Sequence, residues 1–135
     1  MAIIEGTGKL KLAQGEYDFD VDGGAVGQIT LRGVGMLGAG MPIGSVVTGG
    51  YIEVDTALTS GGSATVAVDL EGSGDILAAA AYSASPWSST GRKSVIPAGT
   101  GATSVKTSTA SKSIKVTVAT AALTAGKFRV VLFYR

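Results

Sequence analysis

Lys112-Ser113-Ile114-Lys115-Val116-Thr117-Val118-Ala119-Thr120 puts Ile114, Val116 and Val118 on one side of an extended chain and Lys115, Thr117 and Ala119 on the other. Successive side chains of a strand point to opposite faces, so an apolar period of two marks a strand with one buried face. The β-branched residues suit that pleated, half-buried surface. The same period extends outward in both directions. Towards the C-terminus it continues over residues 127–134. Towards the N-terminus it recurs over 103–107, 93–96, 76–82 and 64–70. Residues 42–56 read as a long strand or bent pair, broken at Gly49-Gly50. Residues 26–32 follow the pattern with Val26 or Ile29 and Leu31 inward. Tyr17, Phe19 and Val21 alternate with Glu16, Asp18, Asp20 and Asp22, and 8–13 has Leu10 and Leu12 on one face.

Gly23-Gly24, Gly61-Gly62, Gly72-Ser73-Gly74, Gly99-Thr100-Gly101 and Ala125-Gly126 punctuate these runs. Short alternating strands with regular turn signals predict an all-β fold, a β-sandwich or jelly roll of about eight to ten short antiparallel strands, with a small barrel as the variant. The Ala78–Ala81 run also fits a short helix. With 135 residues, the chain suits one domain. Residues 16–135 are read as a single β-sandwich domain, and 1–15 as an N-terminal arm or first strand that lies on a neighbour. Thr56-Ala57-Leu58-Thr59-Ser60-Gly61 resembles Ala121-Ala122-Leu123-Thr124-Ala125-Gly126. Each reads as a loop between strands, with leucine tucked beneath and glycine turning the chain.

There is neither Cys nor His. Disulfides, thiol nucleophiles and Cys-ligated metals are therefore excluded, and the commonest general base and transition-metal ligand are missing. A non-enzyme without cofactors is expected. No membrane-spanning stretch and no targeting segment is read, so synthesis in a cytoplasm is expected. Charged residues are only 16% of the chain and the net charge is +1. Yet all ten acids lie between Glu5 and Asp75 with three bases, while eight bases and no acid follow from Ile76 on. Such asymmetry marks a nucleic-acid or membrane contact, a self-complementary protomer, or strands that interleave and mix the charges. The bases form no dense run, and no nucleic-acid or membrane partner is assigned.

Gly33-Val34-Gly35-Met36-Leu37-Gly38 matches a dinucleotide fingerprint, but Gly40 and Pro42 forbid the helix that must follow, leaving a loop. Asp18, Asp20 and Asp22 resemble the start of a calcium loop, yet its twelfth position is Ile29; a solvated strand face explains the acids as well. Glu53 with Asp55, and Asp69 with Glu71, mark solvent faces by the same alternation. Ser83-Ala84-Ser85-Pro86-Trp87-Ser88-Ser89-Thr90-Gly91-Arg92-Lys93 places a tryptophan within a polar loop. Trp87 is either an exposed interface anchor or a cap folded back over the sandwich. Ile3, Ile4, Leu10, Trp87, Arg92 and Lys93 are the candidate interface residues.

Pro42-Ile43-Gly44-Ser45-Val46-Val47-Thr48-Gly49-Gly50-Tyr51-Ile52-Glu53-Val54 resembles a stretch of small virion proteins of tailed bacteriophages: capsid decoration, cement or head-fibre components. Thr56-Ala57-Leu58-Thr59-Ser60-Gly61-Gly62-Ser63-Ala64-Thr65-Val66-Ala67-Val68, Gly74-Asp75-Ile76-Leu77-Ala78-Ala79 and Ala121-Ala122-Leu123-Thr124-Ala125-Gly126-Lys127-Phe128 extend the resemblance over residues 25–135. It implies a β-sandwich or jelly-roll homo-oligomer, with a trimer favoured, bound to the major capsid protein on the capsid surface. It carries over no catalytic residue. The alternative is a head-fibre or tail module that binds host-surface carbohydrate through the Trp87 loop.

Overall fold

Phe128, Val130, Leu132 and Tyr134 turn inward along strand β11 (Leu123–Tyr134), while Lys127, Arg129 and Phe133 turn outward. The computed structural model describes residues 11–33, 38, 40–95 and 112–135. β11 lies antiparallel between β1 (Lys11–Asp18) and β5 (Val47–Ser60). With β3 (Arg32–Gly33) and β8 (Gly91–Val95) at the edges, the sheet order is β3-β1-β11-β5-β8. A second antiparallel sheet contains β2 (Gly27–Thr30), β10 (Lys115–Ala119), β6 (Thr65–Asp69) and β7 (Leu77–Ala81), in the order β2-β10-β6-β7. β4 (Gly40–Met41) and β9 (Lys112–Ser113) form a separate pair. The fold is all-β, a sandwich of two antiparallel sheets.

Between the sheets lie Ile52, Val54, Phe128, Val130 and Leu132 from the first, and Val66, Val68, Val116 and Val118 from the second. Each such side chain contributes about 1.5–3 kcal/mol on full burial. Trp87, Phe128 and Tyr17 form an aromatic column within this core, with centroid separations of 4.7 and 5.1 Å. The Tyr17 hydroxyl donates to Gly23 O at 2.6 Å, tying the end of β1 to the following turn.

Several expectations change at this level. Eleven strands occur among the described residues, because β3, β4 and β9 are two-residue pairings too short to read from a pattern. β5 runs through Gly49-Gly50 without a break. The expected strand over 16–22 ends at Asp18, which caps the one-turn helix α1 (Phe19–Asp22). Its carboxylate accepts from Asp20 N at 3.0 Å, and Asp22 accepts from Asp18 N at 2.9 Å. These local bonds outcompete the ladder, and Val21 ends 65% exposed. In β1 the inward residues are Ala13, Gly15 and Tyr17, so Leu12 faces outward and is 38% exposed. A one-residue difference in register reverses every side chain. Residues 76–82 contain the strand β7, and the helical alternative does not occur. The expected strand at 103–107 lies outside the described residues.

The two ALT segments are largely strand rather than loop, from Thr56 to Ser60 and from Leu123 on, and they pair with each other: Leu123 opposes Ser60 and Ala125 opposes Thr59. Leu58 and Leu123 are both buried, as expected of the tucked leucines. Thr59 Oγ1 lies 2.7 Å from Thr124 Oγ1.

Candidate interaction surface

Across the outer face of the five-stranded sheet, Arg32 opposes Glu16, Glu16 opposes Arg129, Arg129 opposes Glu53, and Glu53 opposes Arg92. Directly opposed residues of antiparallel strands share a face, so one row crosses all five strands with strictly alternating charge. Glu53 Oε2 receives Arg129 Nη2 at 3.1 Å and Arg92 Nη2 at 3.3 Å. Lys127 reaches Glu16 at 3.7 Å and Asp18 at 4.0 Å. The acidic and basic halves of the chain therefore mix, because basic β11 is inserted between strands β1 and β5 from the acidic half. That interleaving accounts for the charge asymmetry along the chain and leaves Lys127 and Arg129 beside carboxylates.

Next to the charged row, Leu12 opposes Phe133, and Val131 opposes Tyr51, which opposes Ser94. Tyr51 and Phe133 meet edge to face at 6.1 Å, and the Arg92 guanidinium lies 4.4 Å above the Tyr51 ring. Arg92 is held by both the ring and Glu53, while its side chain remains 62% exposed. The composition of the strip, with Tyr, Phe and Arg partly exposed together, is that of protein contact surfaces. Sequence reasoning found Arg92 but missed Tyr51, Phe133 and Leu12. Their signal was present in the alternation of Tyr51 and Glu53 against Ile52 and Val54, but which face the second sheet covers is a tertiary fact.

Trp87 is not an exposed anchor. It is fully buried, its indole N–H donates to Val66 O at 3.2 Å, and its ring packs on Phe128. The loop makes a turn, with Trp87 N and Ser88 N both donating to Ala84 O, and Trp87 O accepts from Leu58 N. Of the two readings of this residue, the cap over the sandwich is the one observed. A carbohydrate-binding tip at this loop loses its aromatic. Lys93 donates to Ser89 O through Nζ, bracing the same loop. Ile3, Ile4 and Leu10 lie outside the described residues.

The calcium pattern is otherwise employed. Both carboxylate oxygens of Asp22 receive Arg32, at 3.0 and 3.1 Å, and Asp18 caps α1. Partial burial alone raises the Asp22 pKa, but the Arg32 and Asp18 N–H hydrogen bonds and the Arg32 charge outweigh it, and the net shift is downward. Among the described residues no group of three acids can hold a metal ion. Asp69, expected on a solvent face, is buried at 2% exposure and accepts from Gly74 N, Thr117 Oγ1 and, at 3.4 Å, Gln28 Nε2. Asp75 accepts from the Leu70, Glu71 and Gly72 N–H groups and closes the β6–β7 turn. Of the glycine fingerprint, residues 34–37 lie outside the described residues. Among the described residues no helix is long and apolar enough to cross a membrane.

The β-sandwich fold of this chain is similar to that of chains in solved bacteriophage capsid structures. A chain of the cyanophage Pam1 capsid asymmetric unit matches with a TM-score of 0.63 and 18% identity, over 99% of this chain and 90% of that one. A chain of the Ralstonia phage GP4 capsid matches at 0.61 and 18%, over 99% and 89%. A chain of the acid-stable capsid of Helicobacter pylori bacteriophage KHP30 matches at 0.59 and 18%, over 93% and 86%. At this identity the likeness is one of fold. No protein-family model and no curated protein matches the chain.

Proposed function

We propose that this protein is a structural, non-enzymatic component of a bacteriophage virion, a capsid decoration or cement protein that binds the outer capsid lattice and stabilises it. The observation that carries this reading is the end-to-end match to a chain of the Pam1 capsid, spanning 99% of this chain. The absence of His and Cys from the sequence fits a role without chemistry. The partner is the major capsid protein, and the protein acts as a homo-oligomer, with a trimer favoured, on the capsid surface after synthesis in the host cytoplasm. A protein that binds only the assembled shell stabilises it by mass action, by about 2.7 kcal/mol per site at a hundredfold excess over Kd.

The N-terminal arm contributes to attachment in this reading, with Ile3, Ile4 and Leu10 as its apolar contacts. Residues 11–15 belong to the strand β1, so in this reading the arm is residues 1–10. The test deletes residues 1–10 and adds full-length or shortened protein to capsids that lack it. Saturable binding by the full chain at lattice positions, with capsids more resistant to heat, supports the reading, and light scattering measures the oligomer. A full-length protein that ignores capsids but binds glycans overturns it in favour of the adhesion module.

A further inference from the structure

β8 is an edge strand: it pairs with β5 on one side and, among the described residues, with nothing on the other. Gly91, Arg92 and Ser94 are exposed along it. An edge presents unpaired backbone donors and acceptors to any extended chain that fits. What fits here is set by the charged row, which arrives at this edge as Arg32, Glu16, Arg129, Glu53 and Arg92. The next position of an alternating row is a carboxylate. Arg92 is already oriented by Glu53 and by the Tyr51 ring, so little side-chain freedom remains to be lost when it pairs.

The other edge does not share these properties. β3 is two residues long, and its Arg32 is engaged by both oxygens of Asp22. Nor does β8 suit a second copy of itself. The twofold antiparallel register that pairs all five residues sets Lys93 against its counterpart, and like charges directly opposed are destabilising. Lys93 thus disfavours a second β8 while Arg92 favours an acid-bearing strand, which is specificity by repulsion as well as attraction.

We propose that β8 accepts an extended segment of the capsid shell protein as a sixth strand, with a carboxylate of that segment opposite Arg92. This rests on the capsid-binding reading and names the surface that performs it. The probe is capsids lacking the protein, titrated with wild type, Arg92→Glu and, as a charge control on an exposed side chain away from β8, Arg135→Glu. Hydrogen exchange of residues 91–95 is read in free and bound protein, with a thermal melt of each variant to show that it is folded. The expected result is at least about tenfold weaker binding of folded Arg92→Glu, near-wild-type binding of Arg135→Glu, and slowed exchange at 91–95 on binding. Wild-type binding without added protection at 91–95 overturns the strand-acceptor proposal and leaves the capsid reading standing. So does equal loss of affinity in both charge variants, or unchanged affinity of Arg92→Glu. Wild-type protein that fails to bind capsids overturns both.

Discussion

The Trp87 ring lies 4.7 Å from that of Phe128 at an interplanar angle of 53°, and its N–H reaches across the sandwich to Val66 O. One residue thus joins the 82–90 loop to both sheets. Trp87→Ala is expected to cost about 3–5 kcal/mol, the range for truncating a large buried aromatic. Trp87→Phe is expected to cost about 1–3 kcal/mol, since it removes the indole hydrogen bond to Val66 O together with part of the buried ring. Urea titrations measure both. As the chain has one Trp, its fluorescence in the native state should be blue-shifted and should move red in the same transition.

Gly49 and Gly50 are neighbours of opposite tolerance. A Cβ on Gly49 meets nothing within 4 Å, whereas one on Gly50 would stand 2.2 Å from Val131 O in the adjoining strand. Gly49→Ala should therefore be neutral or slightly stabilising, by up to about 1 kcal/mol through the unfolded chain. Gly50→Ala should destabilise by about 3 kcal/mol or more, because β5 and β11 must move apart. Thermal melts of the two variants side by side check the contrast.

The strand pattern of this chain was legible wherever alternation was long: 64–70 and 76–82 contain strands near the expected bounds, and 127–134 is strand throughout, within a β11 that starts four residues earlier at Leu123. It failed where local chemistry competes with pattern. Asp18 to Asp22 alternates like a strand, yet its carboxylates bind nearby N–H groups and coil the backbone. Gly49-Gly50 read as a break, but here glycine admits the neighbouring strand. The candidate surface was half visible. Arg92 stood out beside Trp87, but the loop turned the tryptophan inward and left the arginine outside. The charged row could not be read at all, because it is a product of register among five strands distant in sequence.

Asp69 is a buried carboxylate whose partners come from three segments: Gly74, Thr117 and Gln28. Asp69→Ala should cost about 2–4 kcal/mol, since it removes hydrogen bonds to a charged acceptor and leaves donors unsatisfied. Thr117→Val, which removes one donor while keeping the shape, should cost about half as much. Guanidinium titration at neutral pH distinguishes these magnitudes.

Burial raises the Tyr17 hydroxyl pKa to about 12, with the Asp22 and Asp18 charges adding to the shift. The folded pKa lies above the unfolded value of about 10. The stabilisation is therefore complete below pH 10 and is lost progressively as pH rises from there through about 12. Tyr17→Phe should be less stable than wild type at pH 8, through loss of the bond to Gly23 O, and should lose less stability between pH 9 and 11.5. Urea midpoints of both proteins across that interval provide the test.

Glu53 serves Arg92 and Arg129 through one oxygen. Exposed ion pairs are worth about 0–1 kcal/mol each, so Glu53→Gln should cost about 1 kcal/mol or less at low salt. The difference should shrink in 1 M salt, where charges are screened within about 3 Å. A larger, salt-independent loss would mean that the row supports the fold rather than the surface.

β11 sits between β1 and β5, although it is the last of the three to be synthesised. During translation β1 has only β3 and β5 only β8 as a partner, and each keeps an apolar face and the side that β11 will fill open until β11 emerges. The sheet therefore closes in one late step, around a strand whose partners are far away in sequence, and closure over such separations is slow. A ribosome stalled before residue 123 would hold a sticky, unclosed half-sandwich, so the interval between emergence and closure is when this chain is most exposed to mispairing with its neighbours.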